Sequence, residues 1–229
     1  MRILALDTAT EACSAAVLAP GRRASRYEEV GRGHSERILA MIDAVLAEAG
    51  VALEDLDAVA FGRGPGSFTG VRLAASIAQG LAFGARLGVL PVSDLQALAQ
   101  RVLDAGSAQS VIVCTDARMG EVYTGPYRRG ARDLAELSDP AERVCAPEAV
   151  GLPEHLAHPV HGAGRGFCAY PRELERLASR LDAVHADLLP RAEEIARLAA
   201  VGLEAGRLLP PEEAVPTYLR DDVARPGRG

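Results

Sequence analysis

The sequence predicts an α/β protein made of two similar halves. Three observations lead there. Short apolar runs alternate with longer amphipathic stretches. A unit of strand, Asp, turn and strand occurs twice, as ILALD–TATEA–CSAAVLA at the start and as SVIVCTDAR–EVYTGPY near the middle. The length, 229 residues, suffices for one large domain or two small ones with a sizeable core.

The elements follow in order. ILALD (Ile3 to Asp7) reads as a buried strand, CSAAVLA (Cys13 to Ala19) as its neighbour, and ASRYEEV (Ala24 to Val30) as a third beyond the PGRR turn. Residues 31–50 form a helix: Ile38, Ile42, Val45 and Ala49 recur on one face, and Gly50 stops it. A strand at Ala58 to Gly62 enters the glycine-rich loop GRGPGSFTG, which launches a helix from Phe68 to Gly84. LGVLPV is a short strand, and Ser93 caps a helix to Gly106. The second half opens near Gln109. Residues 128–151 read as a polar loop, HPVHGAG as a strand, and 190–206 as a helix with Pro at its start and Glu193 and Glu194 in its first turn.

Composition removes several chemistries. All 25 basic residues are Arg, so there is no Schiff-base lysine, lysine base or Walker lysine. The formal charge of −6 disfavours unaided binding to nucleic acid. Cys13, Cys114, Cys145 and Cys168 lack the C-x-x-C spacing of a zinc ribbon, and most are expected to be buried thiols in a reducing cytosol. The apolar start is too short for a signal peptide, and Leu73 to Val92 is broken by Gln79 and Arg86, so no membrane span is expected.

Asp7 and Asp116 each end a strand before a turn. In an actin-like nucleotide fold two such turns face each other around magnesium and phosphate, and Thr8 would join them. The competing reading is a pair of Asx-turns. The loop GRGPGSFTG could cradle an anion at a helix start, yet Pro65 removes one donor and no Lys follows. A tight structural turn is the favoured reading. His34, Ser35 and Glu36 are adjacent on a helix and do not converge into a triad. His155, His158 and His161 flank Pro159 and alternate faces, which argues against a metal site. Arg63, Arg72 and Arg118 are expected to meet a phosphate, a partner carboxylate or a local ion-pair partner.

ILALDTAT, GHSERILAMID, GRGPGSFTGVRLAASIAQGLA, DARMGEVYTGPY and the late PTYLR, in this order, resemble the TsaB family, also called YeaZ. The likeness runs from Met1 to about Arg220 and is weakest over 128–189. It implies an actin-like, Hsp70-like (ASKHA) fold of two RNase H-like subdomains with mixed sheets flanked by helices. The implied division is 1–107, 108–220 and a flexible tail 221–229. The implied role is a non-catalytic, cytoplasmic scaffold that activates TsaD, the paralogue that transfers threonylcarbamoyl to the adenosine next to the tRNA anticodon. The ATPase TsaE would join the complex, tRNA would be met only through partners, and the isolated chain would be a homodimer. TsaD carries an H-x-x-x-H metal motif after a P-V strand end; here PVSDLQAL places Asp94 and Leu98 at those positions, so no metal or other cofactor is expected on this chain alone. A nucleotide would belong to the assembled complex.

The resemblance also implies that the first two long helices form the partner interface. His34, Ile38, Leu39, Met41, Ile42, Val45, Phe68, Val71, Arg72 and Ala75 are the expected contacts, and Ile42→Glu is expected to break association without unfolding the monomer. Two other readings stand beside the scaffold: an ATP- and magnesium-dependent enzyme using Asp7 and Asp116, and a glycoprotease-type metallopeptidase.

Overall fold

The structure, a computed structural model, describes residues 1–220; the expected tail at 221–229 lies outside them. The first sheet contains β1 (Ile3–Asp7), β2 (Ala12–Ala19), β3 (Arg22–Glu29), β4 (Ala58–Gly62) and β5 (Gly88–Val92), in the order β3-β2-β1-β4-β5. Two antiparallel pairings, β1 with β2 and β2 with β3, form a meander. Two parallel pairings, β1 with β4 and β4 with β5, complete the sheet. The parallel strands need crossovers, supplied by α1 (His34–Ala49) and α2 (Phe68–Ala85).

The second sheet repeats this plan. Its strands are β6 (Ser110–Arg118), β7 (Glu121–Arg129), β8 (Ala135–Leu137), β10 (Val160–Ala163) and β11 (Ala183–His185), ordered β11-β10-β6-β7-β8; β9 (Arg143–Cys145) also pairs with β7. Read from its own first strand, each sheet has the order 3-2-1-4-5, with an antiparallel meander on one side and parallel strands on the other. Two RNase H-like halves therefore lie side by side, and Asp7 and Asp116 occupy matching places in them.

Sheets and helices stack in five layers. α1 and α2 cover one face of the first sheet, packing Ile38, Ile42, Val45, Ala74 and Ala78 on Leu4, Leu6, Val17, Val59 and Phe61. The other face, with Ile3, Ala5, Ala58, Ala60 and Val92, packs on Ile195, Ala196 and Ala199 of α6 (Ala192–Glu204). α3 (Asp94–Ala105) packs Leu95, Leu98 and Val102 on Val111, Val113 and Tyr127 of the second sheet. The short helices α4 (Gly166–Ala169) and α5 (Glu175–Ala178) close the far face with Phe167 and Leu177. The halves thus exchange helices. A cut at 107/108 assigns α3 and α6 each to the half whose sheet it does not complete.

Local differences have physical causes. α2 runs past Gly84 and ends with Arg86 in the left-handed region (φ 58°). The 128–151 segment is not wholly loop: β8 and β9 are three-residue strands, too short to show alternation. Only Cys13 and Cys114 are buried; Cys145 is half-buried and Cys168 exposed. No helix among the described residues is long and apolar enough to cross a membrane.

Candidate functional site

A cleft of 860 Å³ opens between the halves. Its walls are the β1–β2 turn (9–11), the approach to α1 (31–35), the glycine-rich loop into α2 (65–71), the β6–β7 hairpin (115–118), Arg165 and the segment 217–220. Two lobe-bridging arginines cross it. Arg118 reaches Glu11 at 3.2 Å, and Arg165 pairs with Glu29 and lies 3.7 Å from Glu11.

Four backbone donors of the glycine-rich loop are spent on the protein. Arg63 N–H donates to the Val92 carbonyl at 2.9 Å, Gly64 N–H to Asp94 at 2.5 Å and Ser67 N–H to the Ala9 carbonyl at 2.7 Å. Ser67 Oγ caps α2 by accepting from Gly70 N–H at 3.1 Å. Gly66 and Gly70 are required by approach: a Cβ at Gly66 would lie 2.5 Å from the Ala9 carbonyl, and one at Gly70 would overlap the Thr8 carbonyl. The loop is a structural turn that seats α2 on the β1–β2 turn. These four donors do not face a ligand.

The two matching aspartates differ. Asp7 is fully buried, with Oδ1 accepting from Ala9 N–H at 2.8 Å, an Asx-turn. Thr8 is buried too, and its hydroxyl donates to the Gly70 carbonyl at 2.7 Å. Neither lines the cleft, contrary to their expected place in a nucleotide site: Asp7 Oδ1 and the Thr8 hydroxyl are bonded to the protein's own backbone. Asp116 is half-buried at the cleft wall, but it accepts from Arg118 N–H at 2.8 Å and from the Tyr170 hydroxyl at 3.0 Å, and pairs with the Arg118 guanidinium at 2.8 Å.

Asp94, expected only as a replaced ligand, has a structural role. It is 2% exposed and stands beside Asp7 under Gly62, where a Cβ would collide with oxygens of both carboxyls. Burial first, then the neighbouring Asp7 charge, pushes its pKa well above the usual carboxylate range; burial raises that of Asp7 to about 6. Leu98 is fully buried in the second core. Close by, Glu142 accepts from the Ser93 and Tyr127 hydroxyls and lies 3.7 Å from Arg63.

The expected interface residues divide sharply. Ile38, Met41, Ile42, Val45 and Ala75 are buried in the chain's own core, because the first sheet consumes the inner apolar stripes of α1 and α2, and Val71 is buried at the cleft wall beside Gly64. They are unavailable to a partner, and Ile42→Glu would strike folding. His34 is half-buried, its Nε2–H donating to the Thr10 carbonyl at 2.9 Å. Leu39, Phe68 and Arg72 remain outward. Phe68 is 61% exposed, and the Arg72 guanidinium lies 3.3 Å from its ring centroid and 5.0 Å from that of Tyr218. Tyr218 and Phe83, both exposed, extend this outer set. Sequence reasoning passes over Tyr218, which enters there only as part of the PTYLR motif; Thr217 anchors that segment by donating its N–H to the Arg63 carbonyl at 2.7 Å.

The histidines have separate partners: His155 with Ser138, His158 with Asp182, and His161 with His185. Among the described residues no group of three or more His, Cys, Asp or Glu side chains is placed to hold a metal ion.

Paired RNase H-like halves with a cleft between them define a two-lobed protein of the actin-like class. Comparison with known proteins narrows this. A family described as "TsaD: tRNA N6-adenosine threonylcarbamoyltransferase" matches residues 27–225. The chain is 41% identical to the tRNA threonylcarbamoyladenosine biosynthesis protein TsaB of Haemophilus influenzae, over 100% of this chain and 98% of that protein. It is 40% identical to the Escherichia coli protein of the same name, over 98% and 96%. YeaZ from Pseudomonas aeruginosa superposes with a TM-score of 0.88 at 46% identity, covering 95% of this chain and 99% of that one. The chain belongs to the TsaB (YeaZ) family.

Proposed function

We propose that this chain is a non-catalytic, activating subunit of the machinery that places threonylcarbamoyl on the adenosine beside the tRNA anticodon. The observation that carries the reading is the pair Asp94 and Leu98. At the positions where the transferase paralogue is expected to carry metal-binding histidines, this chain has a carboxyl clamped to Gly64 and a leucine in the core. Neither side chain is placed to meet a substrate. The membership of the TsaB family supplies the pathway.

The partner is a TsaD-type protein, and the contact uses the outward residues of α1 and α2: Leu39, Phe68, Arg72 and Phe83. Alone, the chain pairs with a second copy through the same face. TsaE joins at the level of the complex, tRNA is met through the partners, and the setting is the cytoplasm. Exposed aromatic and apolar side chains on helices that have already satisfied their own core support this placement.

The test is threonylcarbamoyl transfer to tRNA from purified components. Activity that requires this chain, with none from the chain alone, is the expected result. Equal activity without it would remove the scaffold reading. Magnesium-nucleotide titration of the isolated chain then checks the enzymatic alternative, which the burial of Asp7 and the Arg118 pairing of Asp116 weigh against.

A further inference from the structure

We infer that Asp7 and Asp94 share one proton and together form a pH-sensitive clasp on the loop that launches α2. The inference is independent of the function proposed above. It begins with two carboxyls, from the end of β1 and the start of α3, enclosed away from solvent. Asp94 holds the loop through a reciprocal pair: Gly64 N–H donates to Asp94 Oδ2 at 2.5 Å, and Asp94 N–H donates to the Gly64 carbonyl at 3.0 Å. Asp7 holds the β1–β2 turn through Ala9. This leaves one buried oxygen on each side chain, Asp7 Oδ2 and Asp94 Oδ1, with no protein donor. Two orphaned acceptors at such a site are costly, and two adjacent buried charges are costlier. A single proton turns one acceptor into a donor and removes one charge.

A proton fits where a metal does not. Asp94 Oδ1 and the Ala9-bonded Asp7 Oδ1 crowd the Gly62 backbone so closely that a methyl group there would collide with both side chains. A hard cation such as calcium needs six or more oxygens, whereas this enclosure offers two free ones. Among the described residues no cation is paired with either carboxyl. His34 of α1 bonds the Thr10 carbonyl instead, and Glu142, facing Asp94 from the segment before β9, adds negative charge. Arg63 is directed at Glu142 and Thr217, not at the pair. Cys13 of β2 and Tyr127 of β7 have their pKa values raised, foremost by burial, and stay neutral.

The sign follows from proton counting. In the unfolded chain both carboxyls ionise near pH 4. In the folded chain both are raised, Asp7 to about 6 and Asp94 well above the usual carboxylate range, so above about pH 4 the folded state binds more protons than the unfolded one until both have ionised. The clasp's contribution is complete below about pH 4 and is lost as pH rises through the folded values. At alkaline pH both carboxylates ionise, and the bonds at Gly64 loosen.

The test compares wild type with Asp94→Asn and Asp7→Asn. The asparagine side chain introduced by Asp94→Asn can accept from Gly64 and donate permanently to Asp7. Infrared difference spectra at about pH 7 should show a protonated-carboxyl band in wild type that either substitution abolishes. The Tm of wild type should fall more steeply than that of Asp94→Asn as pH rises through about 6, and Gly64 amide exchange should show more loss of protection at alkaline pH in wild type. Absence of the band, its persistence in either variant, or parallel Tm curves would overturn the inference. So would alkaline stabilisation by magnesium or manganese that Asp94→Asn abolishes, which would make the occupant a cation. If Asp94→Asn does not fold, the wild-type spectrum and Asp7→Asn decide alone.

Discussion

Thr8 and Gly70, far apart in sequence, meet at two points: the Thr8 hydroxyl donates to the Gly70 carbonyl at 2.7 Å, and the Thr8 carbonyl occupies the space a Gly70 side chain would need. This contact fixes the start of α2 against the β1–β2 turn, and with it the direction in which Phe68 and Arg72 are presented. Gly70→Ala should therefore destabilise the chain by about 1–3 kcal/mol, the usual penalty of overpacking. Chemical denaturation measures it. A neutral substitution would mean that the two backbones separate freely.

Ile42 and Leu39 should respond oppositely to the same substitution. Ile42 is 2% exposed and Leu39 53%. Ile42→Glu buries an unpaired charge and should unfold the chain, whereas Leu39→Glu should stay within about 0.5 kcal/mol of wild type. Circular dichroism melts separate the two. If Leu39→Glu also leaves association with a TsaD-type partner intact, the outer face of α1 is not part of the contact.

Phe68→Ala and Arg72→Ala should weaken that association with little change in Tm, because Phe68 is exposed and Arg72 stacks on it from outside the core. A central aromatic or Arg anchor costs about 2 kcal/mol or more when truncated, roughly a thirtyfold loss of affinity. Calorimetric titration against the partner gives the answer; unchanged affinity in both variants would move the interface elsewhere.

The cysteines should label in order of access. Cys168 is exposed, but burial of its sulfur and then Asp187 raise its pKa, so alkylation should be slow at neutral pH and accelerate as pH rises. Cys13 and Cys114, raised to about 12 foremost by burial, should react only after unfolding. Mass spectrometry of alkylated peptides checks this; early labelling of Cys114 would contradict its enclosure.

Much of the fold is legible where one strong local signal acts alone. Ile3–Asp7 and Ala58–Gly62 are unbroken apolar runs closed by a polar residue or glycine, and both are strands. Ser93 does cap α3, accepting from Gln96 N–H at 3.3 Å. β11 has three residues and α4 and α5 have four each, too few to display a period. The expected interface set mixes buried with outward residues for another reason. Periodicity reports that a helix face is apolar, not whether its own sheet or another molecule covers it, and for Ile38, Ile42 and Val45 the sheet does. The Asp7–Asp94 pair is illegible because the residues meet only through the parallel arrangement of β1, β4 and β5.

The exchange of α3 and α6 between the halves orders events during synthesis. The first sheet is complete once Val92 has left the ribosome, but the face bearing Ile3, Ala5, Ala58 and Ala60 stays uncovered until α6 emerges about a hundred residues later. The nascent N-terminal half is thus an apolar surface waiting for its lid, exposed to chaperones and to other nascent chains for much of translation. The last helix seals the first sheet, so a transcript cut short before α6 yields a half with one bare face.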